Sequence, residues 1–140
     1  SIAPPDMFEA LRFAWNLGVP WAGTPSAQSK AIGVPEAIEM ATLNGAIAMG
    51  LGDVTGSITE GKRADLILVR TQDLNMGPVG NVETAIVQSG SGANVDTVMV
   101  DGRIVKRNGR LLAYDTRSIM RRARQSGDRI RAAASEALKA

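Results

Sequence analysis

The stretch Gly56–Arg70, GSITEGKRADLILVR, decides how this chain is read, together with the run before it, Met40–Leu51, MATLNGAIAMGL. Leu66-Ile67-Leu68-Val69 is a continuous apolar run, which predicts a strand over Asp65–Val69 buried on both faces. Gly56 and Gly61 permit tight backbone turns leading into it, and Asp65 is placed to anchor the strand start by local hydrogen bonding. Upstream, Pro35 stands where a first-turn proline belongs. A helix is therefore expected from there towards Met49, with Gly50 as its C-cap, a break at Asn44-Gly45, and Ala37, Ile38, Ala41 and Ile47 on its buried side.

Working outward, Asp6 is a good N-cap for a helix over Met7–Leu17, where Met7, Leu11 and Ala14 recur at helical spacing beside Phe8 and Trp15. Gly18, Pro20, Gly23 and Pro25 predict an irregular loop to about Ser29. On the other side, Thr71–Val82 contains Gly77-Pro78 and reads as a loop, and Asn81 caps a short helix over Val82–Val87 that ends at the glycine-rich Ser89-Gly90-Ser91-Gly92. Val95–Val100, Arg103–Arg107 and Arg110–Ala113 are apolar-rich runs separated by Asp101-Gly102 and Asn108-Gly109. Asx-Gly pairs supply the positive φ angles of two-residue hairpin turns, so an antiparallel meander is expected. Asp115 or Thr116 then caps a last helix to about Leu138, roughly 35 Å long at about 1.5 Å per residue, with Ile119, Ala123, Ile130, Ala134 and Leu138 on one face.

Composition sets limits on function. With 44% hydrophobic and 21% charged residues the chain is globular rather than disordered, and no apolar run approaches the ~20 residues of a membrane helix. The absence of cysteine excludes disulfides and thiolate chemistry and fits a reducing, cytoplasmic setting. The absence of histidine removes the usual zinc ligand and the commonest general base. By itself the chain is a poor catalyst. Its net charge of +2 is uneven: from Asp115 to Ala140 seven Lys/Arg face three Asp/Glu. Arg117, Arg121, Arg122, Arg124, Arg129 and Arg131 read as the solvated face of a packed helix, because acidic residues interrupt them and the apolar side is alanine-rich, not aromatic. Neither a nucleic-acid nor a membrane partner is expected.

Three motifs fail as sites. Gly56–Arg63 is one residue short of a phosphate-binding loop, but Arg63 replaces the metal-binding hydroxyl, and the loop leads into a strand instead of a helix. Gly90-Ser91-Gly92 has no histidine to activate its serine, so a flexible turn is the better reading. Trp15 and Trp21 read as packing residues, with Trp21 the one to watch if its loop flanks a barrel mouth.

The helix A-T-x-N-G-A-x-x-x-G-L followed by G-S-I-x-x-G-K-x-A-D-L-I-L-V resembles the C-terminal part of the amidohydrolase superfamily, in particular its cytosine-deaminase-like and triazine-hydrolase-like members. The resemblance runs from about Asp6 to Leu112. The residues that carry it are Asn44, Gly45, Gly56, Ile58, Gly61, Lys62, Ala64 and Asp65, as a structural motif. It implies α/β content: the terminal helices of a TIM barrel over residues 1–54, the C-terminal part of a small composite β-sandwich over 55–114, and a closing amphipathic helix over 115–140. It further implies a parent enzyme in which barrel-bound zinc or iron activates water to hydrolyse a non-peptide C–N bond of a small nitrogen heterocycle, most simply by deamination. The metal ligands and catalytic residues of that family belong upstream of Ser1. Asp6-Met7-Phe8 matches a later helix cap, so Asp6 is not the barrel's aspartate ligand and no catalytic or metal position is carried over. The partners implied are the missing N-terminal barrel and sandwich half. The competing expectation is a non-catalytic folding or assembly module. Alone, the segment should leave a sheet edge and an apolar face uncovered and self-associate as a homo-oligomer.

Overall fold

The computed structural model describes residues 6–22 and 32–138. The initial Ser1–Pro5, Gly23, Pro25 and the side chain of Trp21 lie outside what it describes. The helices are α1 (Met7–Ala22), α2 (Val34–Ala41), α3 (Leu43–Ala48), α4 (Val82–Ser89) and α5 (Thr116–Ala137). The strands are β1 (Leu66–Val69), β2 (Val95–Val100), β3 (Arg103–Arg107) and β4 (Arg110–Leu111). The strands form one sheet in sequence order, with β1 antiparallel to β2 and β2 to β3. Two compact units are distinct, Ser1–Arg110 and Leu111–Ala140.

The core of the first unit follows from three helices packing on one another, α1, α2 and α4. Phe8, Leu11, Ala37, Met76, Val87 and Val95 are its buried apolar residues. Asp6 caps α1 through its carboxylate, which accepts the Phe8 N–H at 2.9 Å. Asn81 caps α4 in the same way, accepting the Thr84 N–H at 2.8 Å. In the second unit Asp115 caps α5 by accepting the Ser118 N–H at 3.1 Å. The face of α5 that carries Ile119, Ile130 and Leu138 has no buried residue.

Several expectations need correction. Ile47, expected on the buried side of its helix, is 57% exposed, and the C-cap of α3 is Met49, one residue before the expected Gly50. The first helix does not stop at Leu17 but runs through Gly18 and Pro20 to Ala22. Proline in the last turn forfeits a single backbone bond, a smaller loss than in mid-helix. The break after α2 falls at Thr42, two residues before Asn44-Gly45, where φ −123 and ψ −95 leave the helical region. There the Thr42 hydroxyl donates back to the Ile38 carbonyl at 2.8 Å, offering the backbone an alternative to continuing the helix. The strand Leu66–Val69 is not buried on both faces: Ile67 and Leu68 are 52% and 61% exposed. As the outer strand of the sheet, β1 is covered by no other described strand. Finally, β4 ends at Leu111, so Leu112 and Ala113 lie beyond the meander.

Both meander turns adopt positive φ at each central residue, 49 and 76 degrees at Asp101-Gly102, 50 and 73 degrees at Asn108-Gly109. This is the primed turn geometry that matches strand twist.

Candidate functional site

The loop between α3 and β1 is folded onto its neighbours by its own glycines and polar side chains. Gly56 sits at φ +90 against α3, where a Cβ would come within 2.7 Å of the Ala46 methyl and 3.1 Å of the Thr42 carbonyl. Only glycine satisfies both the backbone angle and the approach. Gly61, at φ +86, turns in open space, and Gly45 lies close to the Met40 carbonyl. The Lys62 ammonium donates to the Gly52 carbonyl and, at 2.8 Å, to the Ser57 hydroxyl, tying the loop across its own width. A lysine so engaged is a brace and not a phosphate ligand.

Asp65 joins this loop to the first meander turn. One carboxylate oxygen accepts the Asp101 N–H at 2.7 Å and the other accepts the Thr55 hydroxyl at 2.8 Å. The Ala64 carbonyl accepts the Gly102 N–H at 3.0 Å. The Asp101 N–H, the Thr55 hydroxyl and nearby Arg63 together hold the Asp65 carboxyl below its ordinary pKa, so it remains ionised. Of the motif residues, Ala64 and Asp65 thus meet the turn residues Asp101 and Gly102, while Gly56 and Lys62 hold the loop itself. Asn44 and Ile58 do not join them: Asn44 is exposed, and Ile58 is 90% exposed.

Ile58 instead lines an open groove of about 570 Å³ with Met40, Met49, Leu51 and Ile67, and Thr55 and Asp65 stand on its polar margin. On this margin the Thr55 hydroxyl donates to the Asp65 carboxylate at 2.8 Å. Asp65 is its one ionisable group, and both carboxylate oxygens are already engaged. The donor chemistry also does not fit a catalytic zinc. The sequence contains no His or Cys, and among the described residues no group of three or more His, Cys, Asp or Glu converges. No metal-dependent step is derived through these residues.

The sequence reading missed a second polar cluster, beneath the loop that precedes α4. Asn94 is 2% exposed. Its amide nitrogen donates to Asp73 and to the Asn75 side chain, both at 2.9 Å. Its oxygen accepts from the Ser91 N–H at 3.0 Å, the Ser91 hydroxyl at 2.7 Å and the Asn75 amide at 3.1 Å. Arg70, at the end of β1, grips Asp73 at 3.1 Å and donates to the Ala93 carbonyl at 2.8 Å. The hydrogen bond from Arg70, followed by that from Asn94, lowers the Asp73 pKa. No local spacing signals this cluster, since Asn75 and Asn94 lie 19 positions apart.

Ser89–Gly92 also differs from the flexible turn expected of it. Arg12, from α1, donates to the Gln88 and Gly90 carbonyls at 2.8 and 2.7 Å. A Cβ on Gly90 would sit 2.9 Å from the Phe8 ring. The glycine is there for close packing, and the arginine satisfies carbonyls at the end of α4 that the helix itself leaves open.

The amidohydrolase family profile matches residues 1–105. The chain belongs to the amidohydrolase family. It is 35% identical over 125 residues to a 5-methylthioadenosine/S-adenosylhomocysteine deaminase of Desulforudis audaxviator, covering 89% of this chain and 28% of that protein. Its fold matches that of an adenosine deaminase from Xanthomonas campestris, solved with bound zinc, at a TM-score of 0.79 and 32% identity, over 90% of this chain and 28% of that one. An atrazine chlorohydrolase from Arthrobacter aurescens shares the fold at a TM-score of 0.71 and 24% identity, over 82% and 25% of the two chains. The chain therefore spans about a quarter of the length of the relatives it matches. As an amidohydrolase segment it has helices and a small antiparallel sheet, and among the described residues no helix is long and apolar enough to cross a membrane.

Proposed function

We propose that this segment is the C-terminal part of a metal-dependent amidohydrolase that deaminates the adenine ring of a small nucleoside, in a cytoplasmic setting. The observation that carries the reading is the likeness to deaminases of adenosine-type compounds, at 35% identity over 89% of the chain and a TM-score of 0.79. In such a parent, zinc or iron bound outside these residues supplies an activated water. The segment's own part is structural. Its α3–β1 loop and meander form one braced unit, and the groove lined by Met40, Met49 and Ile58 is the face on which the metal-bearing barrel seats. The motif residues Asn44, Gly45, Gly56, Ile58, Gly61, Lys62, Ala64 and Asp65 act there as scaffold.

A chimera tests this. The matched residues of the Desulforudis deaminase are replaced by those of this chain, and deamination of 5-methylthioadenosine is followed by the ultraviolet change of the purine. The expected result is a soluble, zinc-loaded chimera that deaminates the nucleoside, and activity that is lost in a Gly56→Val version. A folded, zinc-loaded chimera that leaves adenosine-type substrates untouched overturns the reading.

A second reading rests on the exposure of Ile58, Met49 and Leu68, at 90%, 77% and 61%. On this reading the segment is a non-catalytic assembly module whose apolar face binds a partner or a second copy. It predicts concentration-dependent self-association in sedimentation, and a sharply monomeric, cooperatively melting sample contradicts it.

A further inference from the structure

The two meander turns are held by the same device. In the first, the Asp101 N–H is taken by the Asp65 carboxylate at 2.7 Å and the Gly102 N–H by the Ala64 carbonyl at 3.0 Å. In the second, the Gly109 N–H is taken by the Asp96 carbonyl at 3.0 Å. The difference is chemical: the first turn carries an aspartate, the second an asparagine, and asparagine before glycine can lose its amide. Asn108 and Gly109 are both exposed, and the strand that follows them has only two residues.

We propose that Asn108 is a spontaneous deamidation site of the folded chain, kept slow by the hold of Asp96 on the turn. The Gly109 nitrogen attacks the Asn108 side-chain carbonyl carbon and gives up its proton. The bond from that carbon to the side-chain nitrogen breaks, and ammonia leaves with the proton. The cyclic imide then takes up one water and opens to aspartate or to isoaspartate. While the Asp96 carbonyl accepts the Gly109 N–H, the glycine nitrogen is fixed away from attack, so the reaction follows local opening of the turn. The other Asn-Gly pair, Asn44-Gly45, lies inside α3, against which Gly56 is packed at 2.7 Å from the Ala46 methyl if given a Cβ. Freeing its backbone requires a helix to unwind, so it is spared. The aspartate product fits, because Asp101 already occupies the corresponding turn position at φ 49. Isoaspartate inserts an extra backbone atom and breaks the Gly109–Asp96 bond.

The test is peptide mapping by mass spectrometry of the purified chain aged in mildly alkaline buffer, with and without urea. In the folded chain conversion is expected at Asn108 ahead of Asn44, and at both sites more slowly than in urea, where neither backbone is held. In urea the two Asn-Gly pairs should react at similar rates. Modification at Asn44 first in the folded chain, or a rate at Asn108 that is the same with and without urea, overturns the proposal.

Discussion

The strands β1 and β2 lie side by side, and both read as apolar in sequence, yet the fold treats them in opposite ways. In β2, Val95 and Thr97 are 6% and 9% exposed, following directly on Asn94 and its buried network. In β1, Ile67 remains 52% exposed, and the groove that it lines adds Met49 at 77%. One side of the first unit is closed by its own residues. The other presents a large apolar surface of the kind that, in folded proteins, marks a contact. Hydrophobic pattern reports what a strand requires, whereas burial depends on what else is present to cover it.

The largest effects belong to the closed side. Phe8→Ala removes a ring 8% exposed that packs against Gly90, and should cost about 3–5 kcal/mol in urea unfolding. A cost under about 1 kcal/mol, the range of tolerated surface changes, would erase the contrast between the two sides. Next comes Asn94→Ala, which leaves Asp73, Asn75 and Ser91 with unmet partners and should cost about 1–3 kcal/mol. Arg12→Ala should weaken the same side while leaving the β1 amides unaffected, as read by hydrogen exchange at Gln88–Ser91.

A pH titration sharpens the picture at the polar clusters. The carboxyls of Asp65, Asp73 and Asp96 are all lowered: Asp65 by the Asp101 N–H first, Asp73 by Arg70 first, Asp96 by the Thr97 hydroxyl first. Folding favours their ionised forms, so their contribution is complete above the unfolded value of about 4 and is lost as pH falls through the lower folded values. Unfolding midpoints should hold steady from neutral pH to about 5 and drop below about 4, with a smaller drop in Asp73→Asn. The smallest effect belongs to the open side. Ile58→Ser, at a position 90% exposed, should alter stability by no more than about 0.5 kcal/mol.

Much of this fold was legible because local chemistry decided it. The caps at Asp6, Asn81 and Asp115 and the two Asx-Gly turns all act within a few residues or through backbone angles that few residue types adopt, whereas Asp65, expected to bond locally, reaches Asp101, 36 positions away. What escaped was non-local. No periodicity joins Asn75 to Asn94 or Arg12 to Gly90. Gly90 resembled a flexible turn because close packing and flexibility both select glycine. The helix break at Thr42 was masked by the stronger breaker Asn44-Gly45 two residues later. The family motif was readable, and within it the Asp65 carboxylate and the Lys62 ammonium are each engaged inside the chain.

The most direct test of the division between a closed and an open side is methionine oxidation, followed by mass spectrometry, in the chain alone and within the Desulforudis chimera. In the chain alone, Met49 at 77% exposure should oxidise rapidly, while Met76 at 4% resists. Within the chimera Met49 should become as resistant as Met76, because the barrel covers the groove. Rapid oxidation of Met49 in a folded, active chimera would contradict the account, for the groove would then be solvent-facing surface and not a contact.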